Sequence, residues 1–282
     1  MNISIVIPAY NEETVIGQIV AHINSLYPDF EILVIDDGST DNTANKAREA
    51  GAKVIQHPYN IGNGAAVKTG IRNASGDLIV LMDGDGQHDP ADIARLLEES
   101  EHYDMVVGAR SSINHASLGR RIANWFYNKL ASYVAKYPIK DLTSGFRVLH
   151  KDKVIKFLYL FPNTFSYPTT STLTYLRSGY TIKYVPICQH RRIGESKIKL
   201  LEDGSRFILI ILRIATLFSP MRIFLPVSAF FLLTGLVYYI YSYCTHHSFT
   251  NMSALLLSVG IMVFLMGLIS EQITQMRYDR VE

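Results

Sequence analysis

The sequence has few cysteines and no polybasic run, and each absence argues against a class of protein. Its two cysteines, Cys188 and Cys244, lie far apart without metal-ligand spacing, which indicates unpaired thiols in a reducing compartment. The formal charge is only +2, so nothing indicates a nucleic-acid partner. The chain also lacks Gly-x-Gly-x-x-Gly and Gly-x-x-x-x-Gly-Lys-Ser/Thr, which argues against a dinucleotide-binding fold and a P-loop NTPase.

The first residues lack the marks of a secretory signal. The segment 1–8, Met-Asn-Ile-Ser-Ile-Val-Ile-Pro, has neither a basic n-region nor a small-residue cleavage site, so it is predicted to be a strand. The catalytic part of the chain is therefore expected to stay in the cytosol.

Apolar strands alternate with amphipathic helices through the first half of the chain. Predicted strands cover 3–7, 31–35, 53–55, 78–82 and 105–110. One predicted helix follows the first strand, with Asn11 as its cap, and another covers 64–72. Such alternation predicts an α/β domain with a mainly parallel, Rossmann-like sheet.

The segment Asp83-Gly84-Asp85-Gly86-Gln87 directly follows the buried strand 78–82. Open α/β sheets place their ligand crevice at the carboxyl ends of the strands. Two carboxylates and an amide oxygen suit Mg²⁺ or Mn²⁺, which are held together with the oxygens of a substrate diphosphate. The alternative is a solvated acidic turn, because Asp-Gly turns are common.

A second acidic pair, Asp36 and Asp37, follows strand 31–35 and is predicted to lie at the same edge of the sheet. A carboxylate after an early strand commonly accepts hydrogen bonds from ribose hydroxyls, so either residue is a candidate nucleotide ligand. Capping of the next helix by Ser39, Thr40 or Asp41 is the structural interpretation of the same turn.

Four motifs in this half resemble the inverting glycosyltransferases of family 2, which have the GT-A fold. They are Ile-Pro-Ala-Tyr-Asn-Glu (7–12), Val-Ile-Asp-Asp-Gly-Ser-Thr-Asp (34–41), Asn-Ile-Gly-Asn-Gly-Ala-Ala (60–66) and the segment 83–87, in the order and spacing of the family. Asn63 departs from the pattern, since many relatives have a basic residue there.

The resemblance implies a nucleotide-diphosphate sugar as donor and a divalent metal ion, Mg²⁺ or Mn²⁺. The implied donor-binding residues are Pro8, Ala9, Tyr10, Glu12, Asp36, Asp37, Lys68, Asp83, Gly84, Asp85 and Gln87. Of these, Asp83, Asp85 and Gln87 are the implied metal ligands.

The acceptor half has arginines where glycosyltransferases acting on sugar hydroxyls need a carboxylate base. Guanidinium groups bind phosphates through fixed, often bidentate forks. A phosphate monoester, with a second pKa near ~6, is already an anion at pH 7 and needs no base. The alternative is that these arginines are surface residues or pair with Asp141 and Glu101.

Three segments resemble the polyprenyl-phosphate branch of the family, of the dolichyl-phosphate mannose synthase type: 107–110, 141–147 and 191–197. The resemblance implies that Arg191, Arg192 and Lys197 fold over the donor, and that Arg110, Arg120, Arg121, Ser144 and Arg147 face the acceptor phosphate. Asp85 and Arg110 are the implied catalytic residues. The stretch 165–175 carries hydroxyls where many relatives are acidic, so no base is assigned there.

The C-terminal third contains long uncharged apolar runs. Residues 206–218 predict an interfacial helix, with a buried core helix as the alternative. The runs 223–244 and 251–270 are long enough to span a ~30 Å hydrocarbon core. Arginines flank the pair and the link between them has none, so the positive-inside rule places both ends in the cytoplasm.

The expected organisation is a cytosolic GT-A domain (1–200), an amphipathic interfacial helix (201–220) and a transmembrane hairpin with a short cytosolic tail (221–282). The expected protein is a multi-pass enzyme of the cell (inner) membrane, in contact with membrane lipid. Resemblance to two-span relatives implies a homo-oligomer such as a tetramer.

The expected reaction is inverting transfer of a sugar from a UDP- or GDP-linked donor to a polyprenyl phosphate, undecaprenyl or dolichyl, at the cytoplasmic membrane face. Two alternatives remain. One is a membrane-anchored glycosyltransferase that extends a glycan on a hydroxyl acceptor. The other is an inactive membrane scaffold with the same fold.

Overall fold

A seven-stranded sheet forms the core of the N-terminal part of the chain. The computed structural model describes residues 2–110, 118–163, 166–188, 216 and 219–278. The strands are β1 (Ile3–Ala9), β2 (Glu31–Asp36), β3 (Lys53–Gln56), β4 (Leu78–Leu81), β5 (Met105–Arg110), β6 (Arg147–His150) and β7 (Ile182–Ile187). Their order in the sheet is β3-β2-β1-β4-β6-β5-β7. Only β6 runs antiparallel to its neighbours, so the predicted mainly parallel sheet is confirmed.

Helices connect these strands and cover the sheet. They are α1 (Ile16–Leu26), α2 (Thr43–Glu49), α3 (Asn63–Asn73), α4 (Asp92–Ser100), α5 (Leu118–Ala135), α6 (Lys151–Phe157) and α7 (Tyr167–Arg177), with a 3-10 turn at Leu158–Leu160. The central strands are buried on both faces, as Ile5, Val6, Val34 and Val80 show. Burying each such side chain stabilises the fold by about 1.5–3 kcal/mol, which explains the near-continuous apolar runs.

The start of α1 differs from the prediction. Asn11 does not cap it, because the helix begins five residues later, at Ile16. Asn11 has a positive φ of 55°. Its side-chain oxygen accepts a hydrogen bond from the Thr40 backbone N–H (2.8 Å), and its own N–H donates to the Ser39 hydroxyl (2.9 Å). Asn11 therefore ties the loop after β1 to the loop after β2.

The C-terminal part of the chain forms two long helices, α8 (Met221–His246) and α9 (Asn251–Tyr278). Both are long and apolar enough to cross a membrane. The chain divides into two compact units, one of residues 1–133 and 137–199, the other of residues 134–136 and 200–282. The predicted interfacial helix at 206–218 lies outside the described residues, apart from residue 216.

Small residues form the contact between α8 and α9. They recur every seven positions and are buried: Ser228, Gly235 and Ser242 on α8, and Ser253, Gly260, Gly267 and Thr274 on α9. The Ser228 hydroxyl donates to the carbonyl of Gly260 (2.8 Å), and a Cβ at Gly260 would lie 2.7 Å from the Leu232 side chain. A seven-residue repeat of small side chains lets two helices approach closely along one seam.

Candidate functional site

Three loops meet at the carboxyl ends of β1, β2 and β4. Ala9 pairs with Asp36 across β1 and β2, and the N–H of Asp37 donates to the Ala9 carbonyl (2.9 Å). A Cβ at Gly84 would lie 3.1 Å from the carbonyl oxygen of Pro8. The structure thus brings the predicted residues after β1, β2 and β4 together at one edge of the sheet.

The segment 83–87 forms a tight loop at this edge. Gly86 has φ +74°, a left-handed conformation that glycine adopts without steric cost. The Asp85 carboxylate accepts a hydrogen bond from the backbone N–H of Gln87 (3.1 Å). The side chains of Asp83, Asp85 and Gln87 are all half-buried. The loop therefore carries two carboxylates and an amide at alternate positions, 83, 85 and 87.

The loop Asp141–Arg147 packs directly against Asp83, which the sequence did not indicate. A Cβ at Gly145 would lie 2.6 Å from Asp83 Oδ2 and 2.8 Å from Oδ1, both shorter than real Cβ contacts. Only glycine fits at this position without displacing the carboxylate. Gly145 is therefore part of the site through its lack of a side chain.

Arg110 lies at the end of β5 and forms a bidentate ion pair with Asp141. Its Nε donates to Asp141 Oδ2 (2.7 Å) and its Nη2 to Oδ1 (2.9 Å), and it also contacts the Thr143 hydroxyl. This pairing is the alternative that the sequence left open for the acceptor-side arginines. The Arg110 side chain nonetheless keeps 33% exposure, against 7% for Asp141.

The charges in this cluster shift each other's pKa. Burial alone raises the pKa of Asp141, but the hydrogen bonds and positive charge of Arg110 outweigh it, so this pKa lies below its usual range. Burial alone lowers the pKa of Arg110, whereas Asp141 and, more weakly, Asp83 raise it overall. The charge of Asp83 is thus close enough to Arg110 to act on its pKa.

Arg147, which is predicted to contact the acceptor phosphate, lies in the interior of the fold. Its side chain is fully buried, and its guanidinium donates to the hydroxyls of Ser171 (2.9 Å) and Thr172 (2.7 Å) on α7. It also donates to the carbonyls of Leu142 and Ser144. Arg147 therefore closes the loop Asp141–Arg147 on itself, and its contact with the acceptor phosphate stays a prediction.

His88 is a residue of this site that the sequence reasoning missed. It is 4% exposed and stacks on Phe146, with ring centroids 5.0 Å apart. Burial lowers the pKa of His88 to about 4, although the negative charge of Asp85 opposes this effect. The ring is therefore neutral at pH 7 and packs the segment 83–87 against the loop Asp141–Arg147. Its position directly after Gln87 was the only available signal.

Two predicted donor-binding side chains, Asp36 and Asp37, make hydrogen bonds within the fold. Asp36 is 1% exposed, and its carboxylate accepts from the Ser39 N–H and the Gln56 amide. Asp37 accepts from the N–H groups of residues 61 and 62, and it contacts His57 (2.7 Å). Both carboxylates shape the surrounding loops. Asp37 holds the glycine loop before α3, and its contact with the donor stays a prediction.

Lys68 is also engaged within the fold. Its ammonium group donates to the carbonyl of Phe161 (3.1 Å) and to the Asn163 side chain (2.5 Å). Burial, followed by the charge of Arg72, lowers its pKa. Lys68 therefore joins α3 to the segment before α7, and its contact with the donor stays a prediction.

The remaining predicted residues fall into two groups. Tyr10 and Glu12 lie half-buried directly after β1, beside the site, whereas Ser144 is buried, and its backbone N–H donates to Asp141. Arg191, Arg192 and Lys197 lie outside the described residues, and so do the side chains of Arg120 and Arg121 on α5. Their roles stay predictions.

A Rossmann-like sheet with paired carboxylates at its carboxyl edge and an arginine facing them defines a glycosyltransferase of the GT-A type. The chain belongs to glycosyl transferase family 2, whose family model matches residues 4–158, more than half of the chain. A second family model, the GtrB C-terminal hairpin, matches residues 219–276.

Named relatives and a solved structure agree with this assignment. The chain is 36% identical over 172 residues to a dolichol-phosphate mannosyltransferase of Pyrococcus furiosus, which covers 55% of this chain and 47% of the relative. The chain thus spans about half the length of that enzyme. It is 27% identical over 213 residues to an undecaprenyl-phosphate mannosyltransferase of Micrococcus luteus, covering 70% of this chain and 88% of the relative.

The solved structure is glucosyl-3-phosphoglycerate synthase from Mycobacterium tuberculosis with Mn²⁺ and UDP-glucose. It superimposes with a TM-score of 0.62 and 22% identity, covering 76% of this chain and 78% of that one. This likeness shows a shared fold.

Proposed function

We propose that the protein transfers a sugar from a nucleotide-diphosphate sugar to a polyprenyl phosphate at the cytoplasmic face of the inner membrane. One observation carries the proposal: the loop whose Asp141 fixes Arg110 also packs on the Asp83 carboxylate through Gly145, while the Arg110 side chain keeps 33% exposure. A site with carboxylates for a metal-bound diphosphate and a fixed cation for a second phosphate suits a phosphate acceptor. The names of the two relatives, both polyprenyl-phosphate mannosyltransferases, support the same substrate class.

The side-chain oxygens of Asp83, Asp85 and Gln87 suit a divalent metal ion. Among the described residues, no three His, Cys, Asp or Glu side chains form a metal cluster. The half-buried pair Asp83 and Asp85, with Gln87, instead matches an ion that takes its remaining ligands from a diphosphate. A bound Mg²⁺ or Mn²⁺ would neutralise the charge that develops on the leaving diphosphate.

The side chains of the chain then have separate tasks in the reaction. Asp83, Asp85 and Gln87 would hold the ion, and Gly145 and His88 fix the first of these carboxylates and its loop by packing. Arg110 neutralises and orients the lipid phosphate. One oxygen of this phosphate attacks the anomeric carbon from the face opposite the leaving group, forming the new C–O bond as the bond to the diphosphate breaks. The phosphate is already ionised, so no proton must be removed.

The apolar helices α8 and α9 anchor this reaction to a membrane in the proposal. Their length and composition, together with the match to the GtrB C-terminal hairpin, support membrane association. The positive-inside rule favours a cytoplasmic position for the sugar-transfer unit. We further propose, from the resemblance to two-span relatives, that the protein assembles as a homo-oligomer such as a tetramer.

A transfer assay with purified protein tests the proposed function. The protein is mixed with undecaprenyl phosphate, Mg²⁺ or Mn²⁺, and labelled UDP- or GDP-sugars in turn. We expect a chloroform-soluble labelled product with one donor, and its loss on addition of EDTA. Transfer to a free sugar hydroxyl but never to the lipid phosphate would contradict the proposal and favour a glycan-extending enzyme. Binding of no donor in the presence of metal would favour an inactive scaffold.

Replacing Gly145 with alanine is expected to raise the metal concentration needed for half-maximal transfer by about tenfold. The added Cβ would lie 2.6 Å from Asp83 Oδ2, so the carboxylate must move. Overpacking typically costs about 1–3 kcal/mol, and about 1.4 kcal/mol corresponds to a tenfold change. A metal titration of the transfer rate measures the effect.

Gly17→Ala is the matched control, because a Cβ there would meet nothing closer than 3.6 Å. Its metal requirement is expected to stay at the wild-type value. An unchanged metal requirement in Gly145→Ala would show that the carboxylate of Asp83 does not take part in binding the ion.

A further inference from the structure

The helix α5 has an exposed aromatic and basic face. Trp125 is 64% exposed and Tyr133 is 53% exposed, and Lys129 lies exposed between them. Exposed Lys136 follows directly after the helix ends. At 3.6 residues per turn Trp125, Lys129 and Tyr133 fall within an arc of about 80°, over a length of roughly 12 Å. We call this the outer face of α5.

The sequence around this face carries charge of one sign. Residues 105–140 contain no aspartate or glutamate and six basic residues: Arg110, Arg120, Arg121, Lys129, Lys136 and Lys140. The whole chain is nearly balanced, with 27 basic and 25 acidic residues. The segment is therefore the kind of local positive surface that attracts a polyanionic partner.

The opposite face of α5 is fixed to the acceptor side of the site. Tyr127 is buried, and its hydroxyl contacts the Thr169 hydroxyl on α7 (2.8 Å). The Asn128 amide donates to the Lys140 carbonyl (3.0 Å) and accepts from the Leu142 N–H (3.2 Å). These two backbone groups flank Asp141, the residue that holds Arg110. The helix with the exposed face thus also positions the phosphate-binding arginine.

We propose that the outer face of α5 docks on the surface of an anionic phospholipid bilayer. Tryptophan and tyrosine rings favour the depth of lipid headgroups, where one end is apolar and the other wet. Lysines at the same level pair with anionic headgroups while their stems lie along apolar surface.

Docking on the bilayer brings the acceptor side of the site close to the membrane surface. It holds Asn128, Asp141 and Arg110 about one helix diameter, ~10 Å, from that surface. The inference rests on the proposed function, because it takes α8 and α9 to span that bilayer. It adds a second membrane contact, within the sugar-transfer unit itself.

The fluorescence of Trp125 tests the docking, because it is the only tryptophan in the chain. Full-length protein is placed in nanodiscs of phosphatidylglycerol, with or without bromine on acyl carbons 6 and 7. We expect the brominated lipid to reduce Trp125 emission at least twofold. Moving the tryptophan along the face, in Trp125→Phe/Tyr133→Trp, is expected to preserve the quenching.

The matched control moves the tryptophan to another exposed aromatic position. Tyr159, in the 3-10 turn, is 59% exposed, so Trp125→Phe/Tyr159→Trp samples similar exposure on a different element. We expect brominated lipid to leave its emission unchanged. We also expect the variant Lys129→Glu/Lys136→Glu to lose at least half of the quenching of Trp125 in phosphatidylglycerol.

Two results would overturn the docking. One is that Trp125 is quenched no more than the tryptophan at position 159. The other is that Trp125 emission responds to an added oligonucleotide but not to brominated lipid, which would favour a nucleic-acid partner. The same measurements distinguish failure of the docking from failure of the proposed function. Quenching of Trp125 in a protein that transfers no sugar would refute only the reaction. Sugar transfer by a protein whose Trp125 is not quenched would refute only the docking.

Discussion

Substituting asparagine for Asp85 is expected to lower the rate of sugar transfer by about 10²–10³-fold. The change keeps the size of the side chain but removes one of the two negative charges that would hold the ion. Metal ions contribute several kcal/mol of charge stabilisation in such reactions, and each 1.36 kcal/mol is worth a factor of about ten in rate. The transfer assay with undecaprenyl phosphate, at saturating donor and metal, measures the loss.

The control for this substitution is Asp29→Asn, which removes the same charge from an exposed turn before β2. It is expected to transfer sugar at the wild-type rate. Unfolding temperatures of both variants should lie close to that of the wild type, because Asp85 is only half-buried. Near wild-type turnover by Asp85→Asn would remove the ion from the proposed reaction.

Substituting asparagine for Asp141 is expected to destabilise the protein and to slow transfer. Removing one partner of a buried ion pair costs about 3–5 kcal/mol, and the partial exposure of Arg110 reduces this to roughly 2–3 kcal/mol. For a chain of this size that corresponds to a fall of about 5–10 °C in the unfolding midpoint. The freed guanidinium would also lose its orientation, so the KM for the lipid phosphate should rise.

The control for Asp141→Asn is Asp92→Asn, which breaks an exposed Arg–Asp pair with Arg95 (2.6 Å). The Arg95 side chain is 52% exposed, so this change should cost less than about 1 kcal/mol. Equal unfolding midpoints for the two variants would contradict the structural role of the Arg110–Asp141 pair. An unchanged KM for the lipid phosphate would contradict its positioning role.

The stability difference between wild type and Asp141→Asn should depend on pH. The folded protein holds the pKa of Asp141 below its usual range, so the carboxylate stabilises the fold fully above the unfolded pKa of about 3.9. This contribution is lost as the pH falls through the lower, folded value. Unfolding midpoints of the two proteins should therefore differ at pH 7 and converge as the pH falls below about 4.

The sequence predicted the sheet and its acidic edge because those depend on local patterns. Apolar runs of four to seven residues mark buried strands wherever they lie, and Asp83 and Asp85 follow one such run. The parallel order of β1, β2 and β4 then requires the loops after them to share an edge. The residue types and the position of this part of the site were both available from the sequence.

The acceptor side was predicted less well, because it depends on contacts between distant segments. Strand β6 inserts antiparallel between β4 and β5, and this brings Gly145 onto Asp83. Nothing in the order of elements along the chain indicates that insertion. The same step buries Arg147 under hydroxyls of α7 while Arg110 stays exposed. The sequence predicts phosphate binding for both arginines, because the residue type does not show which way a side chain points.

The close packing of α8 against α9 limits how one hairpin could move a glycosylated lipid product across a membrane. Small residues and the bulky apolar side chains that pack on them, such as Leu232 and Leu257, fill the contact between these two helices. Other bulky apolar residues lie exposed, as Leu236, Val237, Ile261 and Leu265 do. Within the described helices there is thus no polar passage between the two spans through which a sugar headgroup could move. A glycosylated lipid made by one chain would stay in the leaflet where it formed. Its translocation to the opposite leaflet would require a separate flippase or a channel built from several chains.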